Sequence, residues 1–301
     1  MSAEYVVRLL CLSLAALFAV QFATGLAVRL LTPWIARVSC RATPRAATRL
    51  MLALRCLPPC LALFVVLAVC VPSYLWLEPV DTGEELGWLC VVGAALAVAT
   101  WGVQATLGVR KVLQSRRSQR RIAEEGRPVV ALAGIWRPRI LISPSVAAAL
   151  PQDQLDMAVS HETAHRTSRD NLKRLLLAFT PGLLPGFSGL AVLEQHWARL
   201  SEWAADDEAV SGDPERAIAL ASALVNVARM KIVSPVLASS MLNGEDLAIR
   251  IERLLHPSQP APAGSARQAW ILAALAAGLL ALAVRPATLE GVHELLERLV
   301  K

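Results

Sequence analysis

Residues 151–171 read Pro151-Gln152-Asp153-Gln154-Leu155-Asp156-Met157-Ala158-Val159-Ser160-His161-Glu162-Thr163-Ala164-His165-Arg166-Thr167-Ser168-Arg169-Asp170-Asn171. Pro151 and the three polar residues after it open a helix, and Leu155, Val159 and Ala164 supply apolar positions along it. Inside this helix His161, Glu162 and His165 have the His-Glu-x-x-His spacing. Histidines at i and i+4 project from one helix face and can both reach one metal ion. The glutamate between them then lies beside the water that the metal activates. The stretch predicts a helix that carries two ligands of a catalytic zinc ion.

Such a site needs three protein ligands and an open position. Downstream, the candidates for the third are His196, Glu202, Asp206, Asp207 and Glu208. Glu202 and Asp206 form an i, i+4 pair, so one can bind the metal while the other supports a ligand from the same face. His196 precedes Glu202 by six residues, roughly 240° round a helix, and cannot share that face. His256 and His293 stand in no motif.

Upstream, residues 128–133 and 139–142 flank Gly134-Ile135-Trp136-Arg137-Pro138 and predict a short hairpin with β-branched residues in its arms. Further out the texture changes. The 301-residue chain is 55% apolar and 18% charged, with a mean hydropathy of +0.49. A soluble domain carries about 25% charge, so a simple soluble globule is excluded. Gly (16) and Pro (18) are too few and too irregular for a collagen-like or disordered chain. The net charge of +6 would permit nucleic-acid binding, but basic residues seldom interleave with aromatic ones, and no direct nucleic-acid partner is expected.

Four windows lack charge for long enough to cross a bilayer: 9–28, 56–77, 86–109 and 268–284. The first is read as a retained anchor, because Glu4 precedes it and its basic residues follow it. Six arginines (29, 37, 41, 45, 49 and 55) and no acidic residue lie between the first two windows; Glu78, Asp81, Glu84 and Glu85 lie between the next two. After the third come Arg110, Lys111, Arg116, Arg117, Arg120 and Arg121. The positive-inside rule then predicts an outside N-terminus and a cytoplasmic segment 110–267. All six cysteines fall in the membrane half and read as small apolar residues.

His161 to His165 with the following Arg166-Thr167-Ser168-Arg169-Asp170-Asn171, the earlier Gly134-Ile135-Trp136-Arg137-Pro138-Arg139-Ile140-Leu141-Ile142, and the later Glu202 to Asp206 together resemble the BlaR/MecR-type membrane zinc metallopeptidases. The resemblance covers roughly residues 127–255 and extends to the flanking spans in layout only. It implies that His161, His165 and Glu202 are the zinc ligands, that Glu162 is the catalytic base, and that Asp206 orients a histidine. Asp170 matches a recurrent family position without a role that the sequence supplies. Antibiotic-sensing members carry a penicillin-binding domain after the last span; residues 285–301 cannot form one, so β-lactam sensing is not expected.

The ligand set also constrains a fifth apolar run, 175–193, which separates His165 from Glu202. A single crossing would put the ligands on opposite sides of the membrane, so the run must return. Pro181, Gly182, Pro185, Gly186 and Gly189 break it, and backbone groups freed there need partners.

The expected architecture is a mostly α, polytopic membrane protein with about four transmembrane helices and a zincin-like α+β metallopeptidase domain. It divides into a membrane domain (1–109), a basic cytoplasmic linker (110–126), the peptidase domain (127–267) and a fourth transmembrane helix with a short tail (268–301). The expected function is that of a zinc metalloendopeptidase in the cell membrane. It would cleave a cytoplasmic or membrane protein, a cytoplasmic repressor among the candidates, in regulatory signalling. Membrane lipids are the other expected partner. Arg139–Ile142 is the candidate strand for pairing with substrate, and Arg199 a candidate oxyanion stabiliser. The rival readings are a quality-control membrane protease with the same zinc constellation and a non-catalytic adaptor. No pattern in the sequence specifies the substrate, the activating signal or an oligomeric state.

Overall fold

The computed structural model describes residues 3–39, 42–77, 87–125, 130–230 and 244–256. Long apolar helices come first. Helix α1 (Ala3–Ser39) has Glu4 in its first turn and Arg37 in its last, both favourable to the helix dipole. Helix α2 (Pro44–Val65) starts with proline at its first position, where a missing N–H costs nothing, and Thr43 caps it by accepting from Ala46 N at 3.3 Å. One π-helical turn, Val66–Cys70, joins α2 to α3 (Val71–Leu77), and α4 runs from Trp88 to Glu125.

Among the described residues three helices are long and apolar enough to cross a membrane: Ala3–Arg37, Pro44–Trp76 and Trp88–Ser118. They contain the first window and all but residues 77, 86 and 87 of the next two. The fourth, at 268–284, lies outside the described residues, as do the acidic 78–85 loop and the 257–266 linker. Tyr5, Leu12, Ala15, Ala16, Val66, Tyr74 and Cys90 form the shared interior of the helices. Small residues permit the close approach that lipid-embedded helices need: a Cβ on Gly93 of α4 would meet Ala15 Cβ of α1 at 3.0 Å. Trp34 at one end of the bundle, and Trp76 and Trp88 at the other, are exposed in the manner of interfacial tryptophans.

The second half supplies the hairpin and a helical layer. Strands β1 (Val130–Ala133) and β2 (Arg139–Ile142) pair antiparallel, with Ala131 opposite Leu141 and Ala133 opposite Arg139. Then follow α5 (Pro144–Ala149), α6 (Gln152–Ser168), α7 (Asp170–Phe179), α8 (Ala191–Val210), α9 (Pro214–Arg229) and α10 (Gly244–Leu255). Met157, Ala209, Leu220, Ala221 and Leu254 bind α6, α8, α9 and α10 into one core. The architecture is mostly helical with few strands, as the sequence predicts, and three of the four expected membrane helices fall among the described residues.

The run 175–193 turns back. It ends α7, forms a tight loop and starts α8. Its tip is a type II turn over Leu184-Pro185-Gly186-Phe187: Phe187 N donates to Leu184 O at 3.0 Å, and Gly186 has φ +73°. Gly182 lets the two arms of the loop touch, since a Cβ there would lie 2.5 Å from Ser188 Cα. Polar side chains of the three long helices take up the freed carbonyls. Gln21 Nε2 donates to Gly182 O (2.8 Å), Gln104 Nε2 to Ala178 O (2.7 Å), Arg55 Nη1 to Pro181 O (3.0 Å) and Arg55 Nη2 to Thr180 O (2.8 Å). Arg55, expected as a charge in a loop, is 1% exposed and also ion-pairs with Glu194 at 2.7 Å. The loop is thus seated among α1, α2 and α4 at their basic-flanked ends. Val28, Ile35 and Met51 pack there against Leu177, Leu190, Leu193 and Trp197.

Candidate metal centre

Helix α6 turns Met157, His161, Ala164 and His165 inward. Two histidines therefore occupy core positions, where their polar atoms need partners. Each finds a carboxylate. His165 Nδ1 lies 2.7 Å from Asp170 Oδ2, and His161 Nδ1 lies 3.0 Å from Asp206 Oδ1. The first contact is a well-aligned hydrogen bond; the second is close but poorly directed, and His161 Nδ1 has no aligned partner. Carboxylates at Nδ1 favour the proton on that nitrogen, which leaves both Nε2 atoms as lone-pair donors.

Those lone pairs converge. His161 Nε2 and His165 Nε2 are 3.2 Å apart, and the carboxylate oxygens of Glu202 lie 3.5 Å from each of them. One ligand atom from each of His161, His165 and Glu202 falls within 4.8 Å of the others. Facing lone pairs and a buried carboxylate need a cation or protons between them, and two imidazoles with one carboxylate are a zinc donor set. The residues present fit a metal ion.

Glu202 and Asp206 share one face of α8, as their spacing predicts. The other candidates point elsewhere. Asp207 pairs with Arg253 (2.7 Å), Glu208 with Arg45 (3.3 Å), and His196 is half-buried outside the cluster. Arg199 does not face the site; its Nε pairs with Asp246 at 2.9 Å and its side chain is 43% exposed.

Two arginines that sequence reading did not single out border the site. Arg250 of α10 donates to both oxygens of Asp206 (2.9 and 2.7 Å), and its Nη1 lies 3.3 Å from Glu202 Oε2. Arg174 Nη2 lies 3.2 Å from Glu202 Oε1. Burial works to raise the Asp206 carboxyl, but the Arg250 guanidinium and the His161 contact overcome it and bring it down to about 2. Glu202 is likewise held well below the carboxylate range, against burial, by His165, His161 and Arg250. Burial would discharge His165, yet the Glu202 charge and the Asp170 bond lift it to about 10. Without a metal the carboxylates thus stay ionised and hold a proton on His165, the proton that a bound cation would displace.

A membrane-associated metallopeptidase is the class that the helix bundle and this donor set define. The family model described as BlaR1 peptidase M56 matches residues 86–254, more than half of the chain, and the chain belongs to that family of peptidases. No curated protein and no solved structure matches the chain.

Proposed function

We propose that the chain is a metalloendopeptidase whose zinc ion is held by His161, His165 and Glu202 and that it cleaves a cytoplasmic or membrane protein in regulatory signalling. The observation that carries this reading is the convergence of two Nε2 lone pairs, 3.2 Å apart, on the buried Glu202 carboxylate. Zinc bound there would supply Lewis-acid polarisation of the scissile carbonyl and would lower the pKa of a bound water.

The chain's own residues do the rest. Glu162 is half-buried between the two histidines in sequence and, among the described residues, forms no hydrogen bond or ion pair, so its carboxylate is free to take a proton from the attacking water and pass it to the leaving amine. Asp170 and Asp206 orient the imidazoles. The exposed strand β2 offers a backbone edge to an extended peptide. The basic flanks of the three long helices support a cytoplasmic catalytic domain in the cell membrane, and the BlaR1 description of the family supports a signalling substrate over bulk turnover. Comparative proteomics of membranes and cytosol, wild type against Glu162→Ala, tests the reading: one or two regulators should accumulate uncut in the variant. A broad accumulation of unrelated membrane proteins would instead support quality control.

A further inference from the structure

Asp170 and Asn171 are adjacent, and they bind different things. Helix α6 ends at Arg169, which takes the left-handed conformation (φ 55°, ψ 39°) and redirects the chain into α7. In the first turn of α7, Asp170 holds His165, while Asn171 Nδ2 donates to Leu132 O at 3.0 Å and Gly134 O at 2.8 Å. One amide nitrogen has spent both its hydrogens on carbonyls two residues apart on the hairpin. In a strand, residues i and i+2 present their backbone groups to the same edge. The carbonyls of Leu132 and, just past the strand, Gly134 turn to α7, and β1 pairs with β2 along Val130–Ala133. The α7 side of β1 is occupied by Asn171, and the outer edge of β2 is the one left for an added strand.

We propose that Asn171 is a positioning residue for substrate: it fixes the β1–β2 hairpin in height and register relative to His165, so that a peptide paired along β2 arrives with its scissile bond at the metal. This rests on the peptidase reading above. The physical case is that the hairpin is only two strands of four residues, which is marginal by itself, and that, beside the packing of Val130 on Val146 and Leu150, Asn171 bonds it twice to the first turn of α7. A shift of about 1 Å in a bound substrate costs on the order of 100-fold in rate. The Asn171 amide is bonded to the hairpin and not to His161, His165 or Glu202 among the described residues, so its loss should separate peptide binding from metal binding.

The test uses the zinc-loaded full-length chain in detergent micelles, with two probes: acetohydroxamate, which needs only the metal, and a tripeptide hydroxamate, which also needs the strand. For Asn171→Ala and Asn171→Leu we expect zinc content equal to wild type, acetohydroxamate affinity within about 2-fold, and tripeptide hydroxamate weakened about 10-fold or more. Asn171→Ser keeps one donor and should fall between. In the zinc-free chain, amide exchange across 130–142 should accelerate in Asn171→Ala. Equal weakening of both probes, or no weakening of either, overturns the inference. A wild-type chain that holds zinc and binds neither probe overturns the peptidase reading itself, and with it the inference.

Discussion

Asp170 Oδ2 lies 2.7 Å from His165 Nδ1, with both side chains buried, and the same carboxylate's other oxygen takes Lys173 Nζ at 2.8 Å. A family position without a legible role thus hydrogen-bonds Nδ1 of one proposed ligand, while Asp206 lies 3.0 Å from Nδ1 of the other. Removing such a partner typically costs 10–100-fold in metal affinity. Zinc titration of Asp170→Ala and Asp206→Ala should show weakened binding that still saturates. Failure of either variant to bind at any zinc concentration would make its carboxylate a direct ligand.

Arg55 joins the membrane bundle to the loop between the two ligand-bearing segments. Its loss leaves the Thr180 and Pro181 carbonyls and the Glu194 carboxylate without their cation. Breaking a buried pair from one side costs about 3–5 kcal/mol. Arg55→Met should therefore lower the thermal midpoint of the full chain sharply, and Gln104→Leu, which removes one neutral hydrogen bond, by much less. Equal midpoints for Arg55→Met and wild type would contradict the anchoring role.

Stability of the zinc-free chain should depend on pH with a defined sign. Asp206 falls from 3.8 to about 2 on folding, and Glu202 and Asp170 shift the same way. For Asp206 the contribution, about 2 kcal/mol, is fully present above about 4 and lost as pH falls through about 2, and Glu202 and Asp170 add contributions of the same sign. His165 is raised from 6.5 to about 10, so its contribution is full below 6.5 and lost as pH rises through 10. The thermal midpoint with a chelator present should peak between about pH 4 and 6.5. A midpoint that keeps climbing to pH 9 would argue against this charge arrangement.

Topology sets the compartment of the substrate. Cysteine labels after Leu31, Val80, Arg121, Ser211 and Arg298 should report in, out, in, in and out. Opposite accessibility at Arg121 and Ser211 would mean that 175–193 crosses the bilayer, which is incompatible with Glu202 meeting His161 and His165.

What the sequence made legible was local or periodic. Two histidines at i and i+4 must share a helix face, as must Glu202 and Asp206, and a Pro-Gly pair inside an apolar run forces a turn whose carbonyls need partners. The identity of those partners was not legible, because Gln21, Arg55 and Gln104 come from helices far away in the chain. By sequence Arg55 is one more topological charge, and it is packing that turns it inward. Arg250 reaches the site from α10 because α10 packs on α9 and α8; no spacing rule links it to Asp206. Arg199 illustrates the converse: helical phase put it near Glu202, but the nearby Asp246 captured it.

The central claim is that His161, His165 and Glu202 hold one zinc ion while Glu162 acts on water without binding the metal. Zinc per chain, measured by mass spectrometry on purified wild type, Glu162→Ala and Glu202→Ala, tests it most directly. The account predicts about one, about one and well under one, since three ligands are needed and the base is not among them. Stoichiometric zinc in Glu202→Ala, or its loss in Glu162→Ala, would contradict it.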